Sequence, residues 1–224
     1  MRHNSPAQPP IPVESQQYKR VLKWESEPVL TLTLDYPKLN GDTPGCRRVN
    51  RYYCQAVRQW RSRWEGTLYE QAKEAARSLR EVSRPFRPWE AKLSYQITCQ
   101  ENGLLSLYLD AYEYAGGAHG MTVRQGDTWA MPEGAFRSLR SFFPPRFRWR
   151  QWVLEQVARS IQARLDAGDS WFEPNWQEQI VREFDPERFY CTGRGPSVFY
   201  PLYSIAPYAE GIPVFPVALP EGGG

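Results

Sequence analysis

The dipeptide Asn102-Gly103 sits between two runs of alternating side chains, Lys92 to Gln100 and Leu104 to Tyr114. Asn-Gly tolerates the positive φ angles of a type I′ turn better than other pairs, and the twist of that turn matches two antiparallel strands. The second run sets Leu105, Leu107, Leu109 and Ala111 against Ser106, Tyr108, Asp110 and Tyr112, so one face packs and the other stays polar. A hairpin of this length commits the middle of the chain to an antiparallel sheet. Met121 to Ala130 reads as the next strand, returning beside it.

The rest of the pattern is built around this hairpin. Val29 to Tyr36 alternates Leu30, Leu32 and Leu34 with Thr31, Thr33 and Asp35, a half-buried strand. Thr43-Pro44 has the form of an N-cap with proline at the first helical position, and a long helix follows to about Val82. Its apolar side takes Val49, Tyr53, Ala56, Trp60, Trp64, Leu68, Ala72, Ala75 and Leu79, and Arg47, Arg51, Arg58 and Arg61 fall opposite. Pro85 and Pro88 end the helical run. Two shorter helices are predicted over Arg146 to Asp166 and Asn175 to Phe184, then short strands at Phe189 to Thr192, Val198 to Leu202 and Val214 to Ala218.

This order predicts an α+β fold, an antiparallel or mixed sheet with one long and two shorter helices packed on it. The proline-rich stretch 1–17 buries too little apolar surface to offset its ordering entropy and is expected to be a disordered tail. Residues 18–90 form an N-terminal subdomain of a strand and the long helix. Residues 91–220 form a C-terminal domain expected to share its sheet and core with the first.

Net charge names no partner. The chain has 28 Lys and Arg against 25 Asp and Glu, a balance that gives no argument for nucleic acid. The longest apolar run, Leu104 to Tyr114, is interrupted by Ser106, Asp110 and Glu113, so no membrane span is expected. The N-terminus lacks an apolar h-region, which reads as cytoplasmic, or as extracytoplasmic if an export signal precedes the chain. Cys46, Cys54, Cys99 and Cys191 lack zinc-site spacing, and Cys46 and Cys54 lie about 12 Å apart along one helix, beyond disulfide reach. Free, structural thiols are expected.

Catalytic signals are sparse. The two histidines are His3, in the tail, and His119; there is no GxSxG elbow, HExxH, P-loop or GxGxxG. Asp110 and Glu113 point to opposite faces of their strand and make a poor acid–base pair. No catalytic residue, metal or cofactor is assigned. His119, inside Gly116-Gly117-Ala118-His119-Gly120, is flanked by residues that allow unusual backbone angles, and its ring can donate or accept hydrogen bonds. Trp60, Trp64 and Trp152 read as packing residues, whereas Tyr200, Tyr203 and Tyr208 lie in a proline-rich loop of the kind that makes interfaces.

Two segments, YEYAGGAHG (Tyr112 to Gly120) with LRSFF downstream, and FYPLYSIAPYAEGIPVF (Phe199 to Phe215), resemble the RsiV-like family of bacterial extracytoplasmic domains. That family includes a lysozyme receptor, and its domain of unknown function also occurs beside the catalytic module of PdaC-type peptidoglycan deacetylases. DYPKLNG leading into VNRYY resembles the smaller companion domain that precedes it. The resemblance implies a non-enzymatic binding module for a protein such as a lysozyme, or for a cell-wall fragment. It marks Tyr112, Glu113, Tyr114, Gly116, Gly117, His119 and Gly120 as one signature and Ala206, Pro207, Tyr208, Gly211, Ile212 and Pro213 as the other. The membrane helix of the receptors and the deacetylase module are not expected here.

The expected ligand site is therefore Tyr112, Tyr114, His119, Tyr200, Tyr203 and Tyr208. A glycan hydrolase pairing His119 with Glu113 or Asp127 is the enzymatic alternative. The third reading is an interaction protein whose arginine helix face binds an acidic partner. Between Pro44 and Lys92 there are 12 Lys and Arg against 5 Asp and Glu, a local excess that disfavours a basic ligand such as a lysozyme unless the C-terminal face is locally acidic.

Overall fold

The computed structural model describes residues 10–220. Strands β1 (Val13–Trp24), β2 (Glu27–Leu39), β3 (Trp89–Glu101), β4 (Leu104–Tyr114), β5 (Met121–Ala130) and β6 (Ala135–Phe136) form one sheet in that spatial order. All neighbours pair antiparallel except β2 and β3, which are parallel. A parallel pair needs a long crossover, and the chain supplies it as a helix. That helix runs 38 residues, as α1 (Pro44–Arg63), a wide π turn (Trp64–Leu68) and α2 (Tyr69–Glu81).

Asn102 and Gly103 both have positive φ, 54° and 72°, as the hairpin turn requires. Thr43 caps α1, its Oγ1 accepting from the Cys46 N–H at 3.1 Å. The buried side of the long helix is Val49, Tyr53, Val57, Trp64, Leu68, Ala72 and Ala76. This corrects the expected stripe: Ala56, Trp60, Ala75 and Leu79 are only half-buried. Four-residue steps overshoot one α-helical turn by about 40°, and the π turn takes up the excess.

The ordered chain begins earlier than expected. Val13 to Gln17 belong to β1, pairing with Tyr36 to Leu39 and Asp35 of β2, and only 1–9 of the expected tail lie outside the described residues. What holds β1 is both apolar and polar: Val13, Leu22 and Trp24 pack against the core while staying only partly buried, and a polar cluster forms at Tyr18. The Tyr18 hydroxyl donates to Glu65 at 2.6 Å, the Arg61 guanidinium covers the Tyr18 ring at 3.9 Å, and Arg20 pairs with Glu65 at 3.1 Å.

Beyond the sheet come α3 (Trp149–Ala167), α4 (Trp176–Arg182) and a second sheet of β7 (Phe189–Thr192), β8 (Gly195–Phe199) and β9 (Val214–Pro216). The packed side chains form two clusters. One lies between the long helix and the large sheet, with Leu30, Leu32, Leu34, Tyr53, Trp64 and Leu107 at its centre. The other joins Val153, Val157 and Ile161 of α3 to Phe189, Val198 and Phe215.

Alternation in β4 connects the layers. Leu105, Leu107, Leu109 and Ala111 are buried toward the long helix, and Ser106 points the other way, its Oγ accepting from the Cys191 N–H at 2.8 Å. Gly126 of β5 is the point of closest approach. A Cβ there would stand 2.1 Å from the Phe189 carbonyl oxygen, so β7 can lie on the sheet only where a side chain is missing.

Candidate functional site

The turn between β4 and β5 leaves the sheet at Tyr114 and returns at Met121. Its departure point is clamped. Glu113 accepts from Arg63 through Nε at 2.7 Å and Nη2 at 3.0 Å, and from the Trp64 indole N–H at 2.7 Å. These donors hold the Glu113 carboxyl below its ordinary range, Arg63 being the largest cause. Gly116 and Gly117 then turn the chain with φ of 82° and 95°, and the Tyr114 hydroxyl donates to the Gly117 carbonyl at 3.1 Å. Gly120 lies against the Tyr112 ring, where a Cβ would fall 2.4 Å from a ring carbon.

His119 stands at the tip of this turn and meets the loop that follows β8. Its Nε2 is 2.9 Å from the Tyr203 hydroxyl, its Nδ1 lies 3.3 Å from the Gly120 carbonyl, and its ring stacks on Tyr208 at 3.7 Å between centroids and 13° between planes. Tyr203 and Tyr208 are themselves 5.7 Å apart. The Tyr203 backbone has φ of +63°, a left-handed conformation that a bulky residue adopts only where its surroundings impose it. Its side chain is nonetheless 48% exposed.

Five of the six expected site residues thus border one another or share this turn. Tyr200 is the exception and is corrected: it is 1% exposed, its hydroxyl donates to the Ile180 carbonyl at 2.9 Å, and burial pushes that hydroxyl's pKa up. It packs the second core. Tyr112 is half-buried; burial foremost, then Glu90, raises its hydroxyl's pKa.

The carboxylates of the hydrolase reading are committed elsewhere. Glu113 is held by Arg63 and Trp64, while Asp127 faces α1 and accepts from the hydroxyls of Tyr52 at 3.2 Å and Tyr53 at 3.1 Å. Neither hydrogen-bonds His119, whose partners among the described residues are Tyr203 and the Gly120 carbonyl. Asp110 pairs with Arg124 at 2.7 Å, on the face away from Glu113. No group of three or more metal-ligating side chains occurs among the described residues, and no helix among them is long and apolar enough to cross a membrane.

Trp171, absent from the expected site, is 76% exposed. Its backbone N–H donates to Glu210 at 2.8 Å, and the Glu173 N–H donates to the Ile205 carbonyl at 3.0 Å, so this loop runs along the Tyr203–Tyr208 loop. The signal for it in the sequence is a tryptophan isolated between Gly168-Asp169 and Pro174. The same loops are electrostatically one-sided. Residues 165–181 carry Asp166, Asp169, Glu173 and Glu178 with no Lys or Arg, and from Gly195 onward the chain has no Lys or Arg at all.

Fold and surface together define a layered α+β protein that presents exposed aromatic rings on an acidic edge, assembled from two layers. Residues 24–122 match the family model described as Deacetylase PdaC, and residues 141–219 match that of a protein of unknown function, DUF3298. The chain carries a PdaC/DUF3298-type domain. A crystal structure of a DUF3298 family protein from Pseudomonas aeruginosa PAO1 is similar over 94% of this chain and 91% of that one, with TM-score 0.63 and 20% identity. A member of the same family from Bacteroides fragilis NCTC 9343 is similar over 93% and 90%, with TM-score 0.64 and 15% identity. The comparison with curated proteins found no match.

Proposed function

We propose that this protein is a non-enzymatic binding module whose Tyr203, His119, Tyr208 and Trp171 surface takes a basic protein ligand. The observation that carries this is Tyr203, held in a left-handed backbone conformation with its hydroxyl on His119 and its ring half in solvent. Strain of this kind, of order 1–3 kcal/mol, is kept where a side chain must be presented in one place. Tyr and Trp supply large contact area at low entropic cost. The carboxylates of Asp166, Asp169, Glu173 and Glu210 steer a positive partner to the loop side of this surface, while Arg87 lies over the Tyr114 ring at 5.2 Å on its strand side.

The expectation of an RsiV-like, lysozyme-sensing role is consistent with this surface, because familiar lysozymes are basic. The arginine excess that argued against such a ligand belongs to residues 44–92, which reach this surface through Arg87 over the Tyr114 ring at 5.2 Å, whereas residues 165–181 and the chain from Gly195 onward carry no Lys or Arg. Calorimetric titration with a basic lysozyme at low and moderate salt, with a peptidoglycan fragment in parallel, tests the reading. Binding that weakens with salt, and at least tenfold with Tyr203→Ala/Tyr208→Ala at unchanged melting temperature, is expected. Unchanged affinity in the double variant would remove the site, and preference for the glycan fragment would replace the protein ligand.

A further inference from the structure

The two halves of the long helix treat charge differently. In α2 every cation has a carboxylate partner: on the helix itself Lys73 pairs with Glu70, and Arg77 with Glu74 at 3.1 Å and Glu81 at 3.8 Å, and Arg80 pairs with Glu25 of the β1–β2 turn. In α1 there are six arginines and no Asp or Glu. Arg47 pairs with Asp42 before the helix, Arg61 with Glu65 and Arg63 with Glu113. Arg48, Arg51 and Arg58 have no ion pair, hydrogen bond or aromatic face among the described residues, and all three are exposed. At 100° per residue they fall, with Gln55 and Ser62, on one stripe opposite Val49, Tyr53 and Val57.

This arrangement opposes helix stability twice. Arg47 and Arg48 occupy the first turn, where the helix dipole disfavours cations, and Arg47 stands four residues before Arg51, a like-charge pair costing about 0.2–0.5 kcal/mol. A merely solvated face would be served equally by the mixed charges of α2.

We infer that the Arg48, Arg51 and Arg58 stripe is a second binding surface, for a linear phosphate polyanion. All the cations are guanidinium groups, whose forks match phosphate oxygens in pairs. Arg51 and Arg58 lie about 10 Å apart along the axis, so an extended chain can touch both. The stripe residues Arg48, Arg51, Gln55, Arg58 and Ser62 include no aromatic side chain on which bases could stack, unlike the platform of a single-stranded nucleic acid groove. This inference does not rest on the aromatic site.

The test is titration of the full chain with long-chain inorganic polyphosphate at several salt concentrations, beside Arg48→Gln/Arg51→Gln/Arg58→Gln and the control Arg77→Gln. The triple variant should bind at least tenfold more weakly, with a slope of log affinity on log salt shallower by about two. Arg77→Gln and Tyr203→Ala/Tyr208→Ala should bind as the parent does. Absence of binding, or equal binding by the triple variant at unchanged melting temperature, overturns the assignment. Polyglutamate binding as tightly overturns the phosphate preference, and tighter binding of a single-stranded oligonucleotide overturns the choice of polymer.

Discussion

Two carboxylates facing the long helix respond oppositely to pH. Burial, opposed by bonds from Gln125, Tyr53 and Tyr52, raises the pKa of Asp127, so its protonated form is favoured in the folded chain. Its contribution to stability is full below the ordinary carboxylate pKa and is lost as pH rises through the elevated folded value. For Glu113, Arg63 and Trp64 outweigh burial and lower the pKa; its contribution is present above the ordinary value and is lost as pH falls through the depressed one. Urea unfolding over the carboxylate range and on to neutrality should show Asp127→Asn gaining on the parent as pH rises, and Glu113→Gln gaining as pH falls. Curves parallel to the parent would refute either assignment. Thiol labelling gives a separate check. Cys54 is exposed, Cys46, Cys99 and Cys191 are buried, and burial pushes the Cys191 thiol up to about 11. One cysteine should react in the native protein and four after unfolding.

Among the elements, the long helix carries a direct test. Gly66 lies in its π turn, and a Cβ added there would meet nothing within 4 Å, so Gly66→Ala should stabilise the protein by about 0.5–1 kcal/mol in denaturant unfolding. A loss would mean the wide turn depends on glycine. The helix itself was legible, because Thr43-Pro44 marks its start and Pro85 follows its end. The wide turn was not, since no residue type announces it. The hairpin at Asn102-Gly103 was legible for the same chemical reason that it forms. β1 was hidden: at an edge its side chains are at most half-buried, and its turn is Glu25-Ser26, with φ of 47° and 73°, in place of the usual Asn-Gly. In the site, the GGAHG segment announced His119 through its glycines, and Tyr200 misled because an aromatic beside Pro201 reads as loop when its ring is core.

At the scale of the whole molecule, the contact between the layers is set by Gly126. Gly126→Ala should cost about 1–3 kcal/mol or more, because the added carbon collides with the backbone of β7, and it should weaken ligand binding as the two loops separate. Loss of stability with unchanged affinity would show that the loops hold their positions without the docked sheet. What the sequence could not show is which distant segments meet: charge and aromatic content were readable along the chain, but the pairing of residue 119 with residues 203 and 208 is a property of the layering. His119 and Tyr203 are separated by 84 residues and come from opposite sides of that seam. A ligand gripping both rings would therefore act as a staple across it. Occupancy would be read out as mechanical cohesion, so that a partner's arrival could shield the seam from proteases, or its departure open it to them.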